Sequence, residues 1–349
     1  MPRTVTGLWH KVIDFENVYY ACRAASRGKR YRTEVLAFNH RKEEHLITLI
    51  NELVWDTYRP RPLRQFWITE PKKRLISAPD FRDRVAHHAL CQVIEPILDN
   101  RFIEEAFACR IGKGTHAAMR HMAACARAAR RQWGGYYALK CDVHKFFQSV
   151  DHEALKGIIR RTIRDPKVLH LIEVIIDSHD SGEHGKGIPI GALTSQLFAN
   201  AYLNPLDRYL KEVHRVEYYA RYMDDFVVLH HDKSYLTTLL SAVTDVLGEL
   251  ELTLNPKSGL FPGRHGIDFC GYRIWPTHVK PRKSAVKRAK RRLRKMTKVY
   301  QTNPGILDHA KASLNSFLGY IMHCNGWRST QSLLKKIVFT PKGAHPLHE

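Results

Sequence analysis

The sequence predicts an α+β fold in which antiparallel hairpins alternate with amphipathic helices. Three observations carry that prediction. Two pairs of short β-rich runs face each other across tight bends: "RQFWIT" with "RLISA", and "EYYARY" with "FVVLH". Longer stretches between them repeat apolar residues every three to four positions. The chain has 349 residues, 44% of them hydrophobic, enough for two or three subdomains and a large core.

Taken in order, "LAFNHRKEEHLITLINELVWDTY" has helical spacing at Leu46, Leu49, Ile50 and Leu53. The first hairpin follows. "DFRDRVAHHALCQVIEPILDNRF" returns to a helical pattern, with Asp80 as N-cap and Pro96 ending or kinking the helix. Tyr136 to Val143 reads as a strand. "GKGIPIGALTSQ" is a Gly-rich loop running into a helix marked by Leu193, Leu197, Ala201, Leu206 and Leu210, with Asn204-Pro205 read as a restart. The second hairpin bends at Met223-Asp224-Asp225. From Lys280 to Lys298, eleven of nineteen residues are basic and none is acidic. Pro281 is placed at the first turn of a helix there, and Val286, Leu293 and Met296 form its sparse apolar stripe.

Composition narrows the function. Lysine plus arginine total 56 against 34 acids, a formal net charge of +22, which favours a polyanionic partner and first of all nucleic acid. The basic run suits a phosphate backbone, with a nuclear-localisation-like or membrane-surface helix as the rival reading. No apolar run reaches the roughly 18 residues of a membrane span, and the first residues lack an apolar signal-peptide core. No membrane partner is expected. Seven cysteines, an odd number with no CxxC, fit a reducing cytoplasm better than a disulfide framework or a cysteine zinc site. The chain carries no internal repeat and no low-complexity linker. His87-His88 and His230-His231 are adjacent pairs, and adjacent side chains diverge too far for joint metal ligation.

Within this basic chain, Asp224 and Asp225 stand side by side between hydrophobic flanks. Such a pair is either a hairpin turn or half of a metal site, because neighbouring buried carboxylates repel unless a cation neutralises them. Asp142 ends a predicted strand about eighty residues earlier. If the strands adjoin, three carboxylates converge and form a site for hard divalent cations, Mg²⁺ by default. Two such ions about 4 Å apart would activate a 3′-hydroxyl and stabilise a leaving pyrophosphate.

Six blocks in order carry a resemblance. "YMDD" (222–225) resembles the catalytic motif of reverse transcriptases, and "KCDVHKFF" their first catalytic motif. "PKKRLISAPDFRDRV" resembles the fingers motif that holds the incoming triphosphate, and "GIPIGALTSQLFAN" the template-and-nucleotide loop. "LTLNPKSG" resembles the motif beside the active site, and "DFCGYRIW" the primer grip. The resemblance covers roughly residues 50 to 330. Most group II intron-related bacterial members carry Gln-Gly and Ser-Pro in that loop. Here Ile190-Gly191 and Ser195-Gln196 depart at both places. "IGALTSQ", "YMDD" and "GYRIWPTH" look like the reverse transcriptases of diversity-generating retroelements of bacteria and phages.

The resemblance implies a right-hand polymerase fold: fingers over residues 1–137, a palm with the catalytic aspartates over 138–278, and a basic helical thumb over 279–349. It implies an RNA-directed DNA polymerase that copies a template-repeat RNA into cDNA with errors at adenines, the cDNA then replacing a variable repeat (mutagenic retrohoming). Asp142, Asp224 and Asp225 become catalytic metal ligands, the Val143 carbonyl joining them, for two Mg²⁺ ions or Mn²⁺ in their place. Arg74 clamps the dNTP triphosphate, with Lys72 and Lys73 as weaker candidates. Phe147 excludes a ribose 2′-hydroxyl, the rival being that Phe146 or Phe147 is core. Ile190 packs where a glutamine would brace the template, Gly191 gives close backbone approach, and Gln196 contacts template or primer. Lys257 assists the leaving pyrophosphate or is a turn lysine. Phe269, Cys270, Gly271 and Tyr272 form the primer grip. Lys283, Lys287, Arg288, Arg291 and Arg294 line the RNA–DNA hybrid. A small, basic, oligomeric accessory variability protein is the implied partner, in the cytoplasm of a bacterial or phage-infected cell. The rivals are a reverse transcriptase of another bacterial lineage (retron, group II-like or defence-associated) and a catalytically silent RNA-binding scaffold.

Overall fold

The structure is a computed structural model that describes residues 4–69, 73–335 and 337–339. The chain forms two compact units, one of Met1–Gly112, Cys141–Val216 and Thr238–Ser258, the other of Lys113–Lys140, Glu217–Thr237 and Gly259–Glu349. No helix among the described residues is long and apolar enough to cross a membrane.

The first unit is mainly helical. In the Lys42–Val54 helix, Leu46, Leu49 and Leu53 are buried, as their spacing predicts. Strands β1 (Arg64–Ile68) and β2 (Arg74–Ala78) pair antiparallel, with Ile68 opposite Arg74. Every residue of β1 is exposed, so the hairpin stands out from the core. Its base is pinned by Asp83, which is buried. The Asp83 carboxylate accepts from the Tyr58 hydroxyl (3.1 Å), the Arg61 amide (2.8 Å) and Arg82 (2.9 Å). Asp80 caps the Phe81–Asp99 helix by accepting the Arg82 amide. That helix runs three residues past Pro96, so the proline does not end it.

The Leu193–Arg208 helix corrects the sequence reading. It passes through Pro205 without restarting and continues into a π-helical turn, Tyr209–Val213. An interior proline costs about 3 kcal/mol. Tyr202, Leu203, Leu206 and Leu210 are all fully buried on either side of it. Each such side chain returns about 1.5–3 kcal/mol on burial, which keeps the helix whole. Asn204 therefore caps nothing.

In the second unit, β3 (Tyr137–Asp142), β4 (Tyr218–Tyr222), β5 (Asp225–His230) and β6 (Gly259–Pro262) form a sheet of order β4-β5-β3-β6. β3 crosses the boundary, since Cys141 and Asp142 group with the first unit. The helix Thr115–Trp133, not anticipated from the sequence, packs on β4, and Ala118, Met119, Met122 and Ala126 are among its buried residues. His121 Nε2 lies 2.9 Å from the Tyr219 carbonyl. A second sheet joins β7 (Ile267–Phe269), β8 (Tyr272–Ile274) and β9 (Val279–Pro281). Pro281 is thus the last residue of an edge strand, opposite Tyr272, rather than the start of a helix. A missing N–H is tolerated at a strand end, and the helix begins at Lys283. On the Lys283–Tyr300 helix, Ala289 and Leu293 are buried against Phe317, Ile321 and Leu333, and Val286 and Met296 pack at the margin.

The histidine pairs have separate surroundings. His230 and His231 pack around Trp133 at 5.2 and 4.9 Å. His87 lies in the core of the first unit, its Nδ1 3.1 Å from Thr194 Oγ1. Burial holds that imidazole neutral and lowers its pKa from 6.5 to about 4. A group with a depressed folded pKa protonates first in the unfolded chain. Its stabilising contribution is complete above pH 6.5 and is lost as the pH falls towards 4. The variant His87→Asn is expected to flatten the stability–pH curve over that window by up to about 1.4 kcal/mol per pH unit. Urea unfolding at stepped pH measures it, and parallel curves for the two proteins exclude the assignment.

Candidate active site

In the first unit the site is built around the end of β3. The Asn255 amide donates to the Asp142 carbonyl at 2.7 Å. Ser258 Oγ accepts the Asp142 amide at 3.1 Å and donates to its carbonyl at 3.3 Å. Asn255 Nδ2 holds the carboxylate itself, at 3.0 Å from Asp142 Oδ2. The Asn255 side-chain oxygen also accepts the Lys257 amide at 3.1 Å, a turn that leaves Lys257 exposed. Val143 is buried, opposite Leu254 in an antiparallel bridge. The bridge is closed by the Asn255 and His144 amides, donating to the Asp142 and Thr253 carbonyls, so it uses neither backbone group of Val143.

Beyond Asp142 the two phenylalanines separate. Phe146 is core, and Phe147 is half-exposed with its ring 5.6 Å away. The Phe147 carbonyl accepts the Ile188 amide at 2.8 Å, and the Ser77 amide of β2 donates to the Ile190 carbonyl at 3.0 Å. The Gly-rich loop is therefore held at both ends. Gly191 has φ +132°, and a Cβ there would meet Ile76 Cγ2 at 3.0 Å and the Ser77 carbonyl at 3.3 Å. The close approach that needs glycine is to β2. Arg74, at the start of β2, is exposed, and Lys73 Nζ sits 4.5 Å over the Trp67 ring. Lys72 lies outside the described residues. Gln196 is exposed on the first turn of its helix, while Thr194 and Ser195 beside it are buried.

In the second unit the β4–β5 turn consists of Met223 and Asp224, with Tyr222 paired to Asp225. Met223 adopts φ +58°, and its carbonyl accepts from Arg221 Nη1 at 3.1 Å. Arg221 is wholly buried. Lys140 Nζ stands 3.6 Å from Asp225 Oδ2 and donates to the Asp268 carbonyl at 2.7 Å. Burial and the Asp225 charge both push the Cys270 thiol upward in pKa. Cys270 and Gly271, with φ +48° and +86°, make the two-residue turn between β7 and β8. Phe269 and Tyr272 are core. The Tyr272 hydroxyl donates to the Tyr320 carbonyl at 3.0 Å, and the Tyr320 hydroxyl donates to the Gly271 carbonyl. Lys283, Lys287, Arg288, Arg291 and Arg294 are all exposed, around the buried Ala289 and Leu293 of the same helix.

Among the described residues no group of three His, Cys, Asp or Glu side chains stands ready to hold a metal ion. Asp142 is held by Asn255 and Asp225 stands beside Lys140, each within its own unit. Asn255, Ser258 and Lys140 escaped the sequence reading, although "NPKS" and "KCD" contain them. Asn-Pro marks a turn, and nothing in the sequence says which backbone that turn grips.

Acids displayed at the end of one strand and in a tight hairpin turn, with a Gly-rich loop and a basic helix, are the parts of a template-directed nucleic-acid polymerase. Residues 69–274, more than half of the chain, match the reverse transcriptase (RNA-dependent DNA polymerase) family, and the chain belongs to it. It is 27% identical over 271 residues to protein YkfC of Escherichia coli K12, covering 65% of this chain and 70% of that protein. It is 27% identical over 180 residues to the group II intron-encoded protein LtrA of Lactococcus lactis, covering 49% of this chain but only 29% of LtrA. Among solved structures, telomerase from Candida albicans has a similar fold, with a TM-score of 0.50 and 12% identity over 81% of this chain and 56% of that one.

If Asn255 fixes the Asp142 carboxylate, Asn255→Ala should slow RNA-templated primer extension about 10- to 100-fold with little change in Tm. Extension at the wild-type rate would remove Asn255 from the site.

Proposed function

We propose that this reverse transcriptase belongs to a diversity-generating retroelement. It would copy a template-repeat RNA into cDNA with errors at template adenines, in mutagenic retrohoming. The observation that carries the reading is Ile190-Gly191 with Ser195-Gln196 where related enzymes have Gln-Gly and Ser-Pro. Ile190 has no polar group with which to brace a templating nucleotide, and its backbone is already committed to Ser77. Gln196 adds an exposed amide in place of a rigid ring.

The donor set suits hard divalent cations, since Asp142, Asp224 and Asp225 offer half-buried carboxylate oxygens and Val143 a carbonyl that its bridge leaves unused. Two Mg²⁺ ions (or Mn²⁺) held by these groups would supply activation of the primer 3′-hydroxyl and neutralisation of the departing pyrophosphate. Arg74, carried on the exposed hairpin, pairs its fork with triphosphate oxygens. The half-exposed Phe147 ring offers a 2′-hydroxyl no hydrogen bond and so selects dNTPs. Lys257 balances charge on the leaving group. The Cys270-Gly271 turn, backed by Phe269 and Tyr272, steadies the primer end. The exposed stripe from Lys283 to Arg294 follows the hybrid backbone without reading sequence. Fingers, palm and thumb are assigned to 1–137, 138–278 and 279–349. The basic accessory protein and a cytoplasmic setting belong to the same proposal.

The similarity to LtrA favours a second reading, a group II-like polymerase without adenine bias. Extension of a primed RNA with dNTPs and Mg²⁺, followed by product sequencing, separates them. Errors concentrated at template adenines support the first, and uniformly rare errors support the second. Asp224→Asn is expected to lower extension by about a thousandfold or more, and an unchanged rate overturns the catalytic assignment. Ile190→Gln is expected to cut errors at adenines several-fold, and an unchanged error spectrum removes Ile190 from fidelity.

A further inference from the structure

The Gly-rich loop that leads to Ile190-Gly191 is rooted at residues 185–188, within the first unit. The Gly185 carbonyl accepts the His152 amide at 2.9 Å, and the Gly187 amide donates to the Val150 carbonyl at 2.8 Å. Such main-chain bonds are open to almost any sequence. The side-chain bond that crosses to this root from the neighbouring helix is specific to one residue. His152 is buried, and its Nε2 lies 2.8 Å from the Gly187 carbonyl. A carbonyl oxygen only accepts, so Nε2 carries the proton and donates. Gly187 is itself buried, with φ +101°, and a Cβ there would meet Ser181 Cβ and Oγ at 2.5 Å. Its carbonyl needs a donor, and His152 supplies it.

The imidazole is held from its other side. His152 opens the His152–Arg160 helix, whose cap, Asp151, accepts the Ala154 amide at 2.8 Å and donates its own amide to the Tyr202 hydroxyl at 3.2 Å. His152 Nδ1 stands 3.4 Å from Asp177 Oδ1, at the end of the Pro166–Asp177 helix. Lys156 Nζ reaches that same carboxylate at 2.7 Å. A carboxylate beside one imidazole nitrogen fixes where the other points. Lys156 thus orients Asp177, Asp177 orients the ring, and the ring holds the Gly187 carbonyl. The next residue, Ile188, is bonded to the Phe147 carbonyl, and Ile190 follows two residues later.

We propose that His152 is a positioning residue for polymerisation, with Asp177 behind it. By donating to the Gly187 carbonyl it sets the path of Ile188 to Gly191 against the template and the incoming nucleotide. Being buried, it acts through the loop and not on the substrate. The inference rests on reading Ile188 to Gly191 as the template-and-nucleotide loop, and adds to that loop the side chains that hold it in register.

RNA-templated primer extension at varied dNTP, with Tm measured for each variant, tests it. His152→Leu fills similar space without a donor and should lower kcat/KM for dNTP about 10- to 100-fold. KM should carry most of that change, because Asp142 keeps its own supports in Asn255 and Ser258. His152→Gln, whose amide donates from near the same point, should recover extension to within about threefold of wild type, although it loses the same ring packing and as much Tm. Asp177→Ala, at an exposed position, should raise KM several-fold at unchanged Tm. Activity that tracks Tm across these variants, with no rescue by glutamine, overturns the proposal. If His152→Leu does not fold, unchanged KM in Asp177→Ala overturns it instead. Ile190→Gln in the same assay tests the loop separately. A changed KM or error spectrum there, beside wild-type kinetics in folded His152→Leu, removes His152 and leaves the loop in the site. Wild-type behaviour in both removes the loop, and His152 with it.

Discussion

Everything at the β4–β5 turn follows from placing two acids next to each other in a half-buried bend. Like charges placed close together near a protein surface repel. A non-glycine residue with positive φ, as at Met223, adds roughly 1–2 kcal/mol. The second unit compensates with cations drawn inward. Arg221 is completely buried and donates to the Met223 carbonyl, and Lys140 reaches Asp225 from the adjoining strand. Burying an arginine is itself unfavourable unless its donors are used, so turn and cation depend on each other. Fully buried Tyr219, Phe226 and Val227 clamp the strands on either side, which leaves the turn little freedom to relax.

The first unit solves a related problem with hydrogen bonds. Its β1–β2 hairpin has no core beneath β1, yet carries Arg74. Asp83 fixes the hairpin's base through Tyr58 and Arg61, and the Ser77–Ile190 bond fixes its side. Asp83 is buried enough that desolvation raises its pKa, despite the donors around it. The candidate site's side chains sit on loops and strand ends, and polar contacts beneath them do the positioning that regular packing does elsewhere.

Much of this was legible from the chain alone, wherever one residue type has one strong local preference. Leu46, Leu49 and Leu53 had to share a face, Asp80 had to cap, and alternating β-branched and aromatic runs around Met223-Asp224 had to fold back. Local preference failed where burial outweighed it. Pro205 reads as a helix start, but the large side chains flanking it are worth more together than the hydrogen bond it removes. Pro281 reads as a helix opener, and edge pairing with Tyr272 claims it first. The Thr115–Trp133 helix hid because its buried face is mostly alanine, which gives little periodic contrast. Of the site, the acids and the loop were visible in order and type. The grip of Asn255 and Ser258 on Asp142 spans more than a hundred residues of sequence, and no local pattern encodes such a pairing.

The seat of Ile190 bears on how a polymerase of this kind can change fidelity without losing its fold. The loop's path is set by main-chain groups: Ser77 to the Ile190 carbonyl, Ile188 to the Phe147 carbonyl, and a glycine whose missing Cβ admits β2. None of these bonds involves the Ile190 side chain, which is only half-buried. Replacing it changes an exposed side-chain surface while the backbone beneath stays bonded as before. A position with that property tolerates side-chain exchange at little cost in stability, because mutations that spare buried contacts and backbone hydrogen bonds usually fall within about 0.5 kcal/mol. Under the role proposed for Ile190, selection on copying accuracy can act at that residue almost independently of selection for folding. Gly191, one residue on, has less freedom, since φ +132° strains any L side chain and a Cβ there would press on Ile76 and Ser77 of β2.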